Sequence, residues 1–164
     1  MQSILNKQSV LELIIARLVI DLDVAQRAAQ TAYETATHEE NIAENKYDTL
    51  GLEASYLAAG QARRVEEIRQ SLVLFQNLSL RPFDEQRGIQ IGDLLSLEAG
   101  NGSQQQLFLG PDAAGLKIYL GDVLITVITT RAPLGQNLLG KAEGDVVEIT
   151  INGARQSFEV TQVM

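Results

Sequence analysis

Between residues 8 and 37, apolar side chains recur at Leu11, Ile15, Leu18, Leu22, Ala25, Ala29, Ala32 and Ala36, in alternating steps of four and three. That period of about 3.5 residues predicts one long helix whose apolar seam faces a partner helix, as in a coiled coil. The seam passes from Leu and Ile to Ala, and small side chains let two helices approach closely. A second seam, at Tyr47, Ala54, Ala58, Val65, Ile68, Leu72 and Phe75 with Leu50 and Leu57 beside it, predicts a return helix over residues 44–77. Its small residues come first and its large ones last, which is the order that antiparallel pairing requires. At about 1.5 Å per residue the first arm is roughly 45 Å long. Gly51 and Gly60 each lower helix propensity by about 1 kcal/mol relative to Ala, so pairing with the first helix has to hold the second.

From Leu80-Arg81-Pro82-Phe83 onward the period changes. Pro82 biases its predecessor away from helix, and Gly becomes frequent. Apolar or alternating runs follow at 89–97, 106–109, 116–120, 122–128, 146–151 and 157–163. Turn residues separate them, among them Ala99-Gly100-Asn101-Gly102, Gly110-Pro111-Asp112 and Asn152-Gly153. Asn-Gly between two β-rich runs is a strong hairpin signal. One brief helix is expected near 136–139. The expected fold class is α+β. An N-terminal antiparallel coiled-coil hairpin occupies residues 1–79, and a small, mainly antiparallel β domain occupies 80–164, with the junction near 78–84.

Composition narrows the chemistry. The chain has 164 residues, 45% of them hydrophobic, enough for one ordinary domain or two small ones. Aromatics are only 5% with no Trp, which argues against a large aromatic-lined pocket. There is no Cys, so disulfides, thiolate zinc sites and Cys nucleophiles are excluded. The single His, His38, excludes multi-histidine metal sites and leaves any Ser-His-Asp arrangement to rest on it. Lys7, Glu12, Arg17 and Asp21 interrupt the start of the chain, so it does not read as a secretory segment. No apolar run is long enough to span a membrane, and a cytoplasmic protein is expected. Net charge is −8, spread as 11 acids and 7 bases in residues 1–80 and 10 and 6 in 81–164. Neither half offers the basic stripe that unaided nucleic-acid binding needs. Nucleic acid is therefore expected only through a partner that supplies the positive groove.

The candidate chemistry sits at 38–48, His38-Glu39-Glu40-Asn41-Ile42-Ala43-Glu44-Asn45-Lys46-Tyr47-Asp48, where the helical pattern has to reverse. Four of these residues are carboxylates. Acidic clusters on helices are usually a solvated face, and it is the turn position that sets this one apart. A hairpin with an acidic tip presents negative charge, or metal ligands, at a distance from its base. His38 is expected to be exposed and Tyr47 to cap the seam, while Lys46 is open to a phosphate contact or to pairing with nearby acids. Arg63, Arg64 and Arg69 alternate with Glu66 and Glu67, as on an ordinary exposed helix.

The two-part plan, the tip and the tail together resemble the Gre family of bacterial transcription elongation factors, as a divergent branch. The tail carries the more specific match. Arg131-Ala132-Pro133-Leu134-Gly135-Gln136-Asn137-Leu138-Leu139-Gly140-Lys141, then Gly144-Asp145-Val146-Val147-Glu148-Ile149, is similar to the family's Ser-Pro-(apolar)…Leu-(apolar)-Gly-Lys…Gly-Asp-(apolar) signature. At the tip, Asn41-Ile42-Ala43-Glu44-Asn45 followed by Tyr47 is in register with the family's acid, two positions, Glu-Asn and aromatic. Glu53-Ala54-Ser55-Tyr56-Leu57-Ala58 resembles one branch of that family.

The resemblance implies an FKBP-like β domain that docks on bacterial RNA polymerase, with Pro133, Leu134 and Gly135 as docking residues. It implies a coiled coil that enters the polymerase's secondary channel and stimulates Mg²⁺-dependent cleavage of backtracked transcripts. Glu44, Glu40 and Asn41 would then be the metal- and water-positioning residues, the Mg²⁺ site being completed only within the polymerase. It also implies an accessory factor with no stand-alone activity, acting as a monomer. Asn41 departs from the family pattern, since it brings an amide where an acid is expected. A regulator that binds the channel without cleavage is the alternative. An isomerase would need an aromatic pocket, and the second half offers only Phe83, Phe108, Tyr119 and Phe158. A purely structural coiled-coil adaptor is a further class, in which the tip acids would serve solubility alone.

Overall fold

The computed structural model describes residues 5–42 and 49–164, apart from the side chains of residues 39–42, 49 and 50. Both expected helices are present, α1 at Lys7–Ile42 and α2 at Thr49–Gln76. Asn6 caps α1, its Oδ1 accepting the Ser9 N–H at 2.8 Å, which satisfies one of the orphan donors of the first turn. The helix runs past residue 37, so His38, Glu40 and Asn41 belong to it, and the rest of the candidate tip, 43–48, lies outside the described residues.

Two compact units make up the chain, Met1–Ile15 with Leu74–Met164, and Ala16–Val73. This division differs from a cut between residues 79 and 80, because the start of α1 and the end of α2 are buried with the sheet. Val10, Ile14 and Phe75 have no exposed surface, and the Phe75 ring lies 6.4 Å from that of Phe108. Gly110 makes room for it: a Cβ there would come within 2.9 Å of the Phe75 ring. Lys7 adds a polar tie, its ammonium 2.8 Å from Asp93 Oδ1 and donating also to the Arg81 carbonyl.

In the unit Ala16–Val73 the seam read from the sequence is the buried face. Leu18, Ala25, Ala32, Ala36, Ile68 and Leu72 are buried, and Leu22, Ala29, Ala54, Ala58 and Val65 are half-buried. Leu57 is 57% exposed. Where Ala and Thr dominate both arms, a groove of about 420 Å³ remains, lined by Ala28, Thr31, Ala32, Thr35, Ala54 and Gln61 among others. Small side chains fill little of the space between two helices.

The β domain holds β1 (Leu94–Ala99), β2 (Gln104–Leu109), β3 (Lys117–Leu120), β4 (Val123–Ile128), β5 (Val146–Ile151) and β6 (Ala154–Val163), with α3 (Pro133–Leu138) between β4 and β5. They form one sheet in the order β3-β4-β2-β1-β6-β5. The α+β expectation is borne out. The sheet is mainly antiparallel, as expected: β2 and β4 are parallel, and every other pair is antiparallel. After β2 the chain reaches the edge as β3, then turns back as β4 into the place beside β2.

Register divides the sheet's side chains between two faces. On one, Leu94 pairs with Phe108 and Phe108 with Val127, and Phe75 packs there. On the other, Leu95, Leu97, Leu107, Leu109, Phe158 and Val160 join Ile89 and Leu138 in the main core. The run at 89–97 is strand only from Leu94. Gly92 has φ +103, and Asp93 Oδ2 accepts the Gln90 N–H at 2.8 Å, so 90–93 is a turn. The Asn152-Gly153 hairpin is as expected, with φ of 52° and 80°, the doubly left-handed pair of a type I′ turn.

Candidate functional site

Glu44 lies outside the described residues. Glu40 and Asn41 occupy consecutive positions in the last turn of α1, so their places on the helix are about 100° apart around its axis. His38 is exposed. Lower on the arms, the charges pair locally: Arg17 with Asp21 at 3.1 Å, Arg27 with Asp23 at 3.1 Å, Arg69 with Glu66 at 3.1 Å and Arg64 with Glu67 at 3.8 Å. Such exposed pairs contribute at most a few tenths of a kcal/mol each. They support the reading of these arginines as a solvated helix face.

The tail signature folds into α3 and its flanks. Ala132 is extended (φ −88, ψ 151) and Pro133 opens the helix, as a proline with preset φ favours. Helix therefore begins three residues before the stretch 136–139 that the pattern suggested. The Gln136 N–H donates to the Ala132 carbonyl at 3.0 Å, and the Ala132 N–H to the Thr129 carbonyl at 3.3 Å.

Of the three residues read as docking, Pro133 is exposed, Leu134 packs against the main core, and Gly135 is buried. A Cβ on Gly135 would sit 2.7 Å from the Thr129 carbonyl carbon. Packing engages Leu134 and Gly135, and Arg131, Ala132, Pro133 and Gln136 form the exposed part of residues 131–136.

Sequence reasoning missed the partner of Gly140-Lys141. Ile89 donates its N–H to the Lys141 carbonyl at 2.8 Å, and the Gly140 N–H donates to the Ile89 carbonyl at 2.9 Å. Gly88, with φ +73, lies so close that a Cβ would be 2.6 Å from Gly140 Cα. The only local sign was a lone glycine heading an apolar run. Gly144-Asp145 is a turn: Asp145 Oδ2 accepts the Ala142 N–H at 2.8 Å, and the Asp145 carbonyl accepts from the Val160 N–H at 2.8 Å. The aromatics do not gather into a pocket. Phe108 and Phe158 are buried, Phe83 packs against the core, and Tyr119 is 65% exposed.

Residues 120–164 match the family model described as transcription elongation factor, GreA/GreB, C-terminal. The resemblance read from the tail signature is borne out over that segment, which runs from the end of β3 to the end of the chain. No curated protein matches. Among solved structures, GreA factor homolog 1 (Gfh1) of Thermus thermophilus is similar at 19% identity and a TM-score of 0.38, over 92% of this chain and 94% of that one. Thermus aquaticus Gfh1 is similar at 23% identity and 0.38, over 90% and 92%. A GreA/GreB elongation factor from Nitrosomonas europaea is similar at 18% and 0.37, over 62% and 90%.

Proposed function

We propose, on the premise that residues 120–164 carry the GreA/GreB C-terminal domain, that the whole chain is a divergent Gre-type elongation factor acting on bacterial RNA polymerase. The family match over the tail is the observation that carries this reading. A long helical hairpin ahead of that domain supports it. In this reading the β domain docks at the polymerase's secondary channel through the exposed part of the α3 region, and the hairpin delivers its tip to the active site. Transcripts that have backtracked are then cleaved by the polymerase. The chain itself is an accessory factor.

The donor set at the tip fits Mg²⁺: the carboxylates of Glu44 and Glu40 and the amide oxygen of Asn41 are the hard oxygens this ion takes. Bound between polymerase and tip, a second metal would stabilise the attacking and leaving oxygens of an in-line displacement. Glu44 would be the leading residue to hold it and to orient water, Glu40 the second candidate, and Asn41 would contribute oxygen without charge. Free protein should bind Mg²⁺ poorly, since the polymerase supplies the remaining ligands, and tight stoichiometric binding by the isolated chain would count against this.

Cleavage in a stalled, backtracked complex with the cognate polymerase tests the proposal. Wild type is expected to cleave, Glu44→Ala to lose the activity, and Asn41→Asp to raise it. The second reading, a channel-binding regulator without cleavage, is favoured by one feature. Asn41 lacks the family's charge, and Glu40 occupies a different helical position. Absence of cleavage, with wild type still displacing a known channel-binding factor, would decide for it.

A further inference from the structure

Residues 79–93 fold, together with Thr130 and Leu139, around a cleft of about 580 Å³. One wall is rigid. Ile89 is bonded in both directions to the 140–141 backbone, and Gly88 is pressed against Gly140 with no space for a side chain.

The charges on the lining are unequal in availability. Its acids serve the protein itself: Asp84 Oδ1 accepts the Gln86 N–H at 2.9 Å, and Asp93 holds the Lys7 ammonium and the Gln90 N–H, both at 2.8 Å. Its cations are Arg81 and Arg87. Their carbonyls are engaged by Lys7 and Gln90, but among the described residues neither guanidinium has a carboxylate partner. Arg17, Arg27, Arg64, Arg69, Arg131 and Arg155 each do. Arg63, alone on the exposed face of α2, is the other arginine without one among the described residues, so this cleft is where two such guanidinium groups share one lining, in a chain of net charge −8.

The mouth is apolar beside them, with Ile91 42% and Leu139 39% exposed and Pro82 exposed as well. Arginine next to exposed apolar surface is the composition of a protein-interface anchor. A phosphate dianion fits less well, because two carboxylates share the lining. A polypeptide bearing carboxylates and amide donors matches both the arginines and the acids, and guanidinium binds carboxylate with bidentate geometry.

We propose that this cleft docks an acidic polypeptide segment of the partner protein, Arg81 and Arg87 each holding a carboxylate while Pro82, Ile91 and Leu139 seat the apolar residues beside it. This deepens the function proposed above and rests on it, since the partner is taken to be the polymerase. It adds a contact distinct from the 133–135 stretch.

Affinity of the labelled full-length chain for the cognate polymerase, measured across a salt series, tests it. Arg81→Ala/Arg87→Ala should bind roughly 10-fold or more weakly, with a flatter salt dependence. Arg81→Lys/Arg87→Lys should recover part of the loss by keeping charge without the bidentate fork. Thermal melts of the variants should match wild type, because both side chains are at the surface.

Wild-type binding with the double Ala variant within about two-fold of it would overturn the cleft assignment and leave the proposed function standing. No wild-type binding at all would overturn both. Labelled single-stranded RNA bound by the free wild-type chain and lost in the double Ala variant would make this a nucleic-acid site and overturn the acidic-polypeptide assignment.

Discussion

Replacing Gly135 with Ala places a methyl carbon 2.7 Å from the Thr129 carbonyl carbon and closer still to its oxygen. Carbon atoms in favourable contact lie about 3.5–4.0 Å apart, so the overlap approaches 1 Å, and backbone has no rotamer into which to retreat. Thr129 is buried, and its carbonyl is already held by the Ala132 N–H at 3.3 Å. The short helix must therefore move. α3 is six residues long, and its apolar hold on the core is fully buried Leu138 together with Leu134.

Overpacking costs about 1–3 kcal/mol, and loss of one buried leucine about 1.5–3 kcal/mol. Together the substitution should destabilise by about 2.5–6 kcal/mol, against a total of about 5–15 kcal/mol for an ordinary domain. Urea denaturation followed by circular dichroism measures it. With an m-value of about 2 kcal/mol/M the midpoint should fall by about 1–3 M. A midpoint within about 0.3 M of wild type would refute the packing argument. If polymerase binding fell while stability held, Gly135 would be a docking residue after all.

Gly60 is the contrasting case. It lies within α2 with nothing within 4 Å of a Cβ, so Gly60→Ala should stabilise by about 1 kcal/mol and raise Tm by about 2–4 °C; a lower Tm would show that the helix uses glycine's freedom there. Lys7→Met leaves Asp93, whose side chain is 8% exposed, with the Gln90 N–H but no cation. Denaturant titration should show a loss of about 3–5 kcal/mol, partly restored when Asp93→Asn is added, and a loss below about 1 kcal/mol would contradict the pair's role in tying α1 to the β domain. Asn41→Asp should raise transcript cleavage, read as shortened RNA on a gel, and unchanged cleavage in both Asn41→Asp and Glu44→Ala would remove the tip from the mechanism.

The alternating steps of four and three determined the buried face of α1, where Leu11, Leu18, Ala25, Ala32 and Ala36 are all buried. Local repeats report which side of an element is apolar, and a helix repeats the same turn whatever it packs against. The β5–β6 hairpin was equally legible, because Asn-Gly settles the turn within two residues. The tail signature was legible as residue types, and the family match over 120–164 bears it out. The tip was marked by composition and by its place between two helical patterns. The strand run at 89–97 was overread because hydrophobicity does not reveal the positive φ at Gly92.

Other features exist only once distant segments meet. The parallel pairing of β2 with β4 depends on where β3 lies in the sheet, and strand alternation is the same in either orientation. Gly135 reads in the sequence as one of three docking residues, and only the fold sets the Thr129 carbonyl against it. Val10 and Ile14 lie off the seam that was read, and the end of α2 and the sheet complete their burial. Arg81 and Arg87 are, in the sequence, two of several arginines. Which charges are neutralised depends on which carboxylates the fold brings within reach, and only the tertiary structure engages Asp93 with Lys7, 86 positions away, while giving neither guanidinium at the cleft a carboxylate among the described residues.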